Sequence, residues 1–159
     1  MVTTTVSLSL SQPLLQKGST GPAVQRLQEQ LNFYFGARKQ LVVDGVFGTR
    51  TEQAVKIVQY RYFLVQDGIV GTHTRAVLSN RDLIEKPLLR RGSTGSLVGR
   101  VQQVLRDAKL YSGEIDSNFG ALTEQAVMNV QALVRLPQTG IIDPETWAAL
   151  VEKAAMLSF

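Results

Sequence analysis

The sequence contains no cysteine and a single histidine, His73, among its 159 residues. Without thiols there can be no disulfide framework, no cysteine zinc site and no thiol nucleophile. With one imidazole, paired-histidine zinc motifs are excluded, and a Ser-His-Asp arrangement would have to be built around His73. No apolar run approaches the roughly 18 residues that a membrane-spanning helix needs, so no membrane span is expected. What is present is an ordinary globular composition, 44% hydrophobic and 19% charged, which suffices for one or two small cores.

The first dozen residues carry no basic side chain before Lys17 and no continuous apolar stretch, so they do not read as a secretory signal. Val6, Leu8 and Leu10 alternate with serines as a short strand would. A loose terminal tail over 1–12 is the expectation, because chain ends stay mobile unless something pairs with them.

The chain is a duplication. Pro13-Leu14-Leu15-Gln16-Lys17-Gly18-Ser19-Thr20-Gly21 returns 74 residues later as Pro87-Leu88-Leu89-Arg90-Arg91-Gly92-Ser93-Thr94-Gly95. Val24, Arg26, Gln28 and Leu31 recur at the same offset as Val98, Arg100, Gln102 and Leu105. The offset then becomes 72: Asp44, Phe47-Gly48, Thr51-Glu52-Gln53-Ala54-Val55 and Val58-Gln59 recur as Asp116, Phe119-Gly120, Thr123-Glu124-Gln125-Ala126-Val127 and Val130-Gln131. Two units follow, 13–78 and 87–150, with a linker over 79–86 and a C-terminal tail over 151–159. Each unit is below the ~70–80 residues at which one core becomes comfortable, so the two are expected to pack together or to be helped by Leu83 and Ile84 of the linker. Fully extended, the linker spans only about 28 Å.

Each unit carries three helix signals, which predicts an all-α protein. In the first, Ser19-Thr20-Gly21-Pro22 offers a polar cap and an initial proline, followed by Val24, Leu27 and Leu31 at helical spacing, with Gln28 beside the stripe, and the helix runs into Gly36. The second helix opens after Gly48, where Thr49 and Glu52 could form a capping box, and its apolar face is Thr51, Ala54, Val55, Val58 and Tyr62; the matching face in the second unit ends on Val134. The third is short. Asp143 caps it with Pro144 in its first turn, and its counterpart is 71–78. Phe47 and Phe119 are expected to plug the two cores.

These stretches resemble the peptidoglycan-binding domain 1 family of small three-helix modules. Its pattern is matched by Leu15 through Leu31, Asp44 through Gln59 and Asp67 through Leu78, and again by Leu89 through Leu105, Asp116 through Gln131 and Gly140 through Leu150. The departures are Val58 and Val130 where the family usually has phenylalanine, Phe63 and Arg135 where it often has glycine, and Ser117-Asn118 in place of Gly-x after the aspartate. The resemblance implies two tandem modules that associate with the bacterial cell wall, in the periplasm or wall; no cofactor or metal is expected.

Charge and aromatics are unequal between the units. The first carries eight basic and four acidic residues, the second six of each. Phe33, Tyr34, Phe35, Phe47, Tyr60, Tyr62 and Phe63 lie in the first, against Tyr111, Phe119 and Trp147 in the second. A receptor for amphipathic sugar rings and carboxylate-bearing stem peptides wants exposed aromatic faces and arginine. Tyr60, Arg61 and Tyr62 at the end of the second helix, and Arg50 at its start beside the Asp44-Gly45 turn, are therefore the candidate ligand-binding residues. Asp44 and Asp116 could be read as a carboxylate pair for glycoside chemistry, but each belongs to a separate module at a glycine turn, where aspartate caps backbone N–H groups. His73, replaced by Glu145 in the second unit, suits a solvated position. The expected function is non-catalytic peptidoglycan binding or targeting. An adaptor that holds a wall hydrolase would use the same Tyr-Arg surface. Nucleic-acid binding has little support, since the net charge is only +4 and no helix is rich in Lys and Arg.

Overall fold

A computed structural model of the chain describes residues 13–38, 40–79 and 86–158. The tail expected over 1–12 and most of the linker, with Leu83 and Ile84, lie outside the described residues. The remainder is all-α: α1 (Pro22–Phe35), α2 (Thr49–Arg61), α3 (Thr72–Ser79), α4 (Ser96–Asp107), α5 (Ala121–Leu133) and α6 (Pro144–Leu157), with a 3-10 turn at Gly36–Arg38 after α1. Among the described residues the extended backbone is confined to isolated antiparallel bridges, Leu15 with Val70 and Thr20 with Val46, repeated as Leu89 with Ile142 and Thr94 with Asn118. These bridges tie the segment before each first helix to the two turns that follow it.

Helix starts follow the sequence signals in part. Pro22 opens α1, but its cap is Gly21, without a side-chain bond. Gly21 has φ 102°, a conformation that only glycine adopts without strain, and its N–H donates to the Gly45 carbonyl at 2.9 Å. Ser19, expected at the cap, instead accepts from the Gln16 N–H and closes the preceding turn. The capping box expected from Thr49 and Glu52 is not formed: Gly48 is the cap and Thr49 already lies inside α2. Glu52 reaches Lys17 at 3.3 Å and Lys56 at 2.9 Å. Asp143 caps α6 as expected, its carboxylate accepting from the Thr146 N–H at 2.9 Å.

Each module closes over its own core. Leu15, Val24, Leu31, Phe47, Val55 and Val58 are buried in the first, and Leu89, Val98, Leu105, Phe119, Val127 and Val130 are their counterparts in the second. Val134, expected on the buried face, is exposed, because nothing among the described residues packs over it. Its counterpart Tyr62 is buried, with the Lys86 ammonium 5.6 Å from its ring.

The modules are joined through side chains as well as the linker. Phe63 belongs to the first module by sequence but lies in the core cluster of the second, 2% exposed, with its ring 5.2 Å from Trp147. Residues 151–157, expected as a tail, continue α6, which packs on α2. Ala154 is fully buried there, and Val151 touches both cores. The repeat partner of α6, α3, has only eight residues to its fourteen, so the repeat gives no sign of the extension.

Phe63 and Arg135, the two departures from glycine, both have φ near 60°. Each ends its helix by a paired bond: Leu64 N–H to the Gln59 carbonyl with Phe63 N–H to Tyr60, and Leu136 N–H to Gln131 with Arg135 N–H to Ala132. This is the six-to-one closure that normally selects glycine. Left-handed backbone costs an ordinary residue roughly 1 kcal/mol. At Phe63 the buried ring outweighs that cost, whereas exposed Arg135 has no such return. Arg135→Gly should therefore raise the thermal midpoint by roughly 2–4 °C, while Phe63→Gly should lower unfolding free energy by about 2–4 kcal/mol. Circular-dichroism melts and urea titrations compare them; equal shifts of the same sign would show that the Phe63 ring adds nothing to the joint.

Candidate functional site

Four glutamines are buried to within 1% exposure: Gln28, Gln59, Gln102 and Gln131. Each does the same thing. The Gln28 side-chain carbonyl accepts from the Gly45 N–H at 2.9 Å, and its amide donates to Asp44 at 2.7 Å and to the Val46 carbonyl at 3.1 Å. The Thr51 hydroxyl lies at 3.4 Å. Gln59 repeats this with Gly68, Asp67, Ile69 and Thr74. Gln102 repeats it with Ser117, Asp116, Asn118 and Thr123. In the second turn of the second module Gln131 holds Gly140, Thr139, Ile141 and Thr146. In sequence the first of these glutamines, Gln28, is only a polar residue beside an apolar stripe. A further signal was available: the turn's first residue stands seven before the threonine in all four cases, 44 and 51, 67 and 74, 116 and 123, 139 and 146.

Asp44 and Asp116 are exposed but engaged. The donating glutamine amide, followed by the backbone N–H of Val46 or Asn118, holds each carboxyl below its ordinary value. Each carboxylate serves its own turn. Ser117 adopts φ 61°, so the altered turn of the second module has the same backbone form as Gly45 at φ 72°.

The six candidate ligand residues do not form one cluster. Asp44, Gly45 and Arg50 lie at the start of α2 and Tyr60, Arg61 and Tyr62 at its end, about 15 Å away at 1.5 Å per residue. At the start, Arg50 is exposed beside the Asp44 turn, and Val42, Val43 and Val46 add exposed apolar surface. Gly45 is buried, against the Gln25 side chain and the Gly21 carbonyl.

The far end of α2 is a joint between modules. Tyr62 and Arg61 are each only 5% exposed, so neither presents the open aromatic or guanidinium face expected from the sequence. The Arg61 guanidinium lies 5.4 Å from the Tyr34 ring centre and 5.1 Å from that of Phe35, and its Nε–H donates to the Ser158 hydroxyl at 2.7 Å. The Tyr60 hydroxyl donates to Asp107 of α4 at 2.7 Å. Burial first, then that carboxylate, push its pKa upward. Among the described residues the most exposed aromatic ring is that of Phe33 on α1, 88% exposed, which lies outside the six candidates. Among the described residues no cluster of three or more His, Asp or Glu could hold a metal ion, and no helix is long and apolar enough to cross a membrane.

The family profile described as "Putative peptidoglycan binding domain" matches the chain twice, at residues 20–78 and 94–150. The chain is 36% identical over 93 residues to a spore cortex-lytic enzyme of Halalkalibacterium halodurans, covering 55% of this chain and 28% of that protein. It is 45% identical over 60 residues to a zinc D-Ala-D-Ala carboxypeptidase of Streptomyces albus G, covering 38% and 24%. A probable N-acetylmuramoyl-L-alanine amidase of Bacillus licheniformis is 28% identical over 178 aligned positions, covering 98% of this chain and 48% of that protein. The chain thus spans less than half the length of each of these relatives.

Two measurements test the turn frames. Gln28→Leu strands the buried Gly45 N–H and should cost about 1–3 kcal/mol in urea denaturation, whereas Gln30→Leu on the exposed face of α1 should change little; equal effects would remove the frame from its structural role. Because Asp44 and Asp116 have depressed pKa values, their contribution is present above the ordinary 3.8 and is lost as pH falls below it. Asp44→Asn combined with Asp116→Asn should flatten the dependence of stability on pH between about pH 4 and pH 2. An unchanged slope would assign acid sensitivity to other groups.

Proposed function

The chain belongs to the peptidoglycan-binding domain family as two tandem modules, and we propose that it acts by binding, holding whatever it is attached to or associated with on the bacterial cell wall. The observation that carries this reading is the double family match together with an intact glutamine-held frame in each module. The hydrolase names of the relatives fit a targeting role: the part shared with this chain is the binding module, and bond cleavage is not part of the reading. The wall or periplasm is the place where such binding serves.

The ligand surface of the first module is read as the Asp44 turn with Arg50 and the exposed valines, where a guanidinium can take a stem-peptide carboxylate in two parallel hydrogen bonds. Two modules on one chain raise apparent affinity when both reach the polymer. The packing of α6 on α2 sets their separation by contact instead of by linker length alone.

Co-sedimentation with purified sacculi across a salt series, with duplex DNA in parallel, tests the reading. Retention on sacculi at moderate salt, lost for DNA, is expected, and Arg50→Ala should reduce it several-fold with no change in melting temperature. No retention, or retention that salt abolishes equally for both polymers, would overturn wall binding and leave the adaptor reading in its place.

A further inference from the structure

Between the modules lies a cleft of about 530 Å³, within the size range of small-molecule sites. It is lined by Leu14, Phe63 and Ile69 from the first module and Leu97 and Arg100 from the second, with Lys86 of the linker. Neither module alone makes it. Asp67 also lines it, but the Asp67 carboxylate already accepts from the Gln59 amide at 2.7 Å and from the Ile69 N–H at 2.8 Å.

Two cations face this cleft without an acidic partner among the described residues. The Arg100 Nε is buried and has no hydrogen-bond acceptor among the described residues. Among the described residues, Lys86 meets the faces of Tyr62 and Trp147, each 5.6 Å from its ammonium. Burial pushes the pKa of both groups downward. A buried guanidinium N–H left without an acceptor is costly, and a carboxylate is the group that would engage it most strongly. The apolar walls suit small hydrocarbon side chains next to that carboxylate.

We propose that this cleft receives the free carboxyl end of a short peptide with small apolar side chains, the carboxylate meeting Arg100 and Lys86 and the body lying against Leu14, Phe63, Ile69 and Leu97. The inference rests on the wall-binding reading for its source, the stem peptides of peptidoglycan. It differs from the Asp44 surface in needing both modules at once.

The test is an NMR titration of the whole chain with N-acetyl-alanyl-alanine, as the D,D and the L,L isomer, and with the C-terminal amide of each. Saturable shifts of the Arg100 Nε–H and of the Phe63 and Leu64 amides are expected with at least one acid, together with an affinity at least tenfold lower for its amide. Arg100→Gln should weaken binding about tenfold at an unchanged melting temperature, and Lys86→Gln serves as the second variant should Arg100→Gln unfold. If neither acid gives saturable shifts at these groups, or if the amides bind as well as the acids, the cleft is not a carboxylate site. Sedimentation of the same protein with sacculi separates the two failures. Silence of the dipeptides with retention intact removes the cleft site alone; loss of retention as well removes the reading beneath it.

Discussion

The structure depends on a buried amide that finds all its partners inside the protein. A glutamine moved from water into an apolar interior is unfavourable unless its donors and acceptor are matched. Here the matching groups are the backbone and first side chain of a tight turn, plus a threonine from the next helix. Three elements distant in sequence are thereby fixed relative to one another: the helix carrying the glutamine, the turn, and the helix that follows it. The hydrocarbon core supplies the larger driving force, but it is non-directional. The amide fixes geometry, and it does so twice in each module.

That arrangement explains the tolerance of the turn sequence. Gly45 of the first module becomes Ser117 in the second, Gly68 is kept as Gly140, and Asp67 is replaced by Thr139, yet the hydrogen bonds recur at 2.7–3.0 Å from each glutamine to the first turn residue. What the frame demands is an oxygen acceptor, an N–H and a left-handed residue, and several residue types provide these. The ion pair of Lys17 with Glu52, repeated as Arg91 with Glu124 at 2.8 Å, secures the leading segment in the same way in both modules.

Much of this was legible from residue order. The duplication, the helix positions, the initial prolines, the Asp143 cap and the plugging phenylalanines all follow from local chemistry and periodicity, and they recur where the structure has them. The missed features depend on contacts between units. Tyr62 and Arg61 read as a binding pair because an aromatic next to an arginine at a helix end looks the same whether solvent or another chain segment covers it. Here the adjoining elements cover both. The extension of α6 was hidden because α3, its aligned partner, is short. The capping box is shifted by one residue: Gly48 takes the cap position, so Thr49 is already the first residue of α2 and makes no side-chain cap.

The charge excess of the first module has a related lesson, because a net charge locates nothing by itself. Lys17 and Lys56 meet at Glu52. Arg61 is buried against aromatic rings, and Arg75 donates to the Pro13 carbonyl. Arg26 and Arg50 are exposed on the first two helices. In the neutral second module, by contrast, Arg100 lines a cleft and has a buried N–H with no acceptor among the described residues. Screening weakens the long-range pull of a solvated arginine such as Arg50, which then relies on paired short hydrogen bonds to a carboxylate, whereas a partly desolvated one interacts more strongly. The chemistry of recognition therefore follows the surroundings of single cations. The boundary between two repeats can carry a site that neither repeat, nor the comparison of their net charges, would indicate.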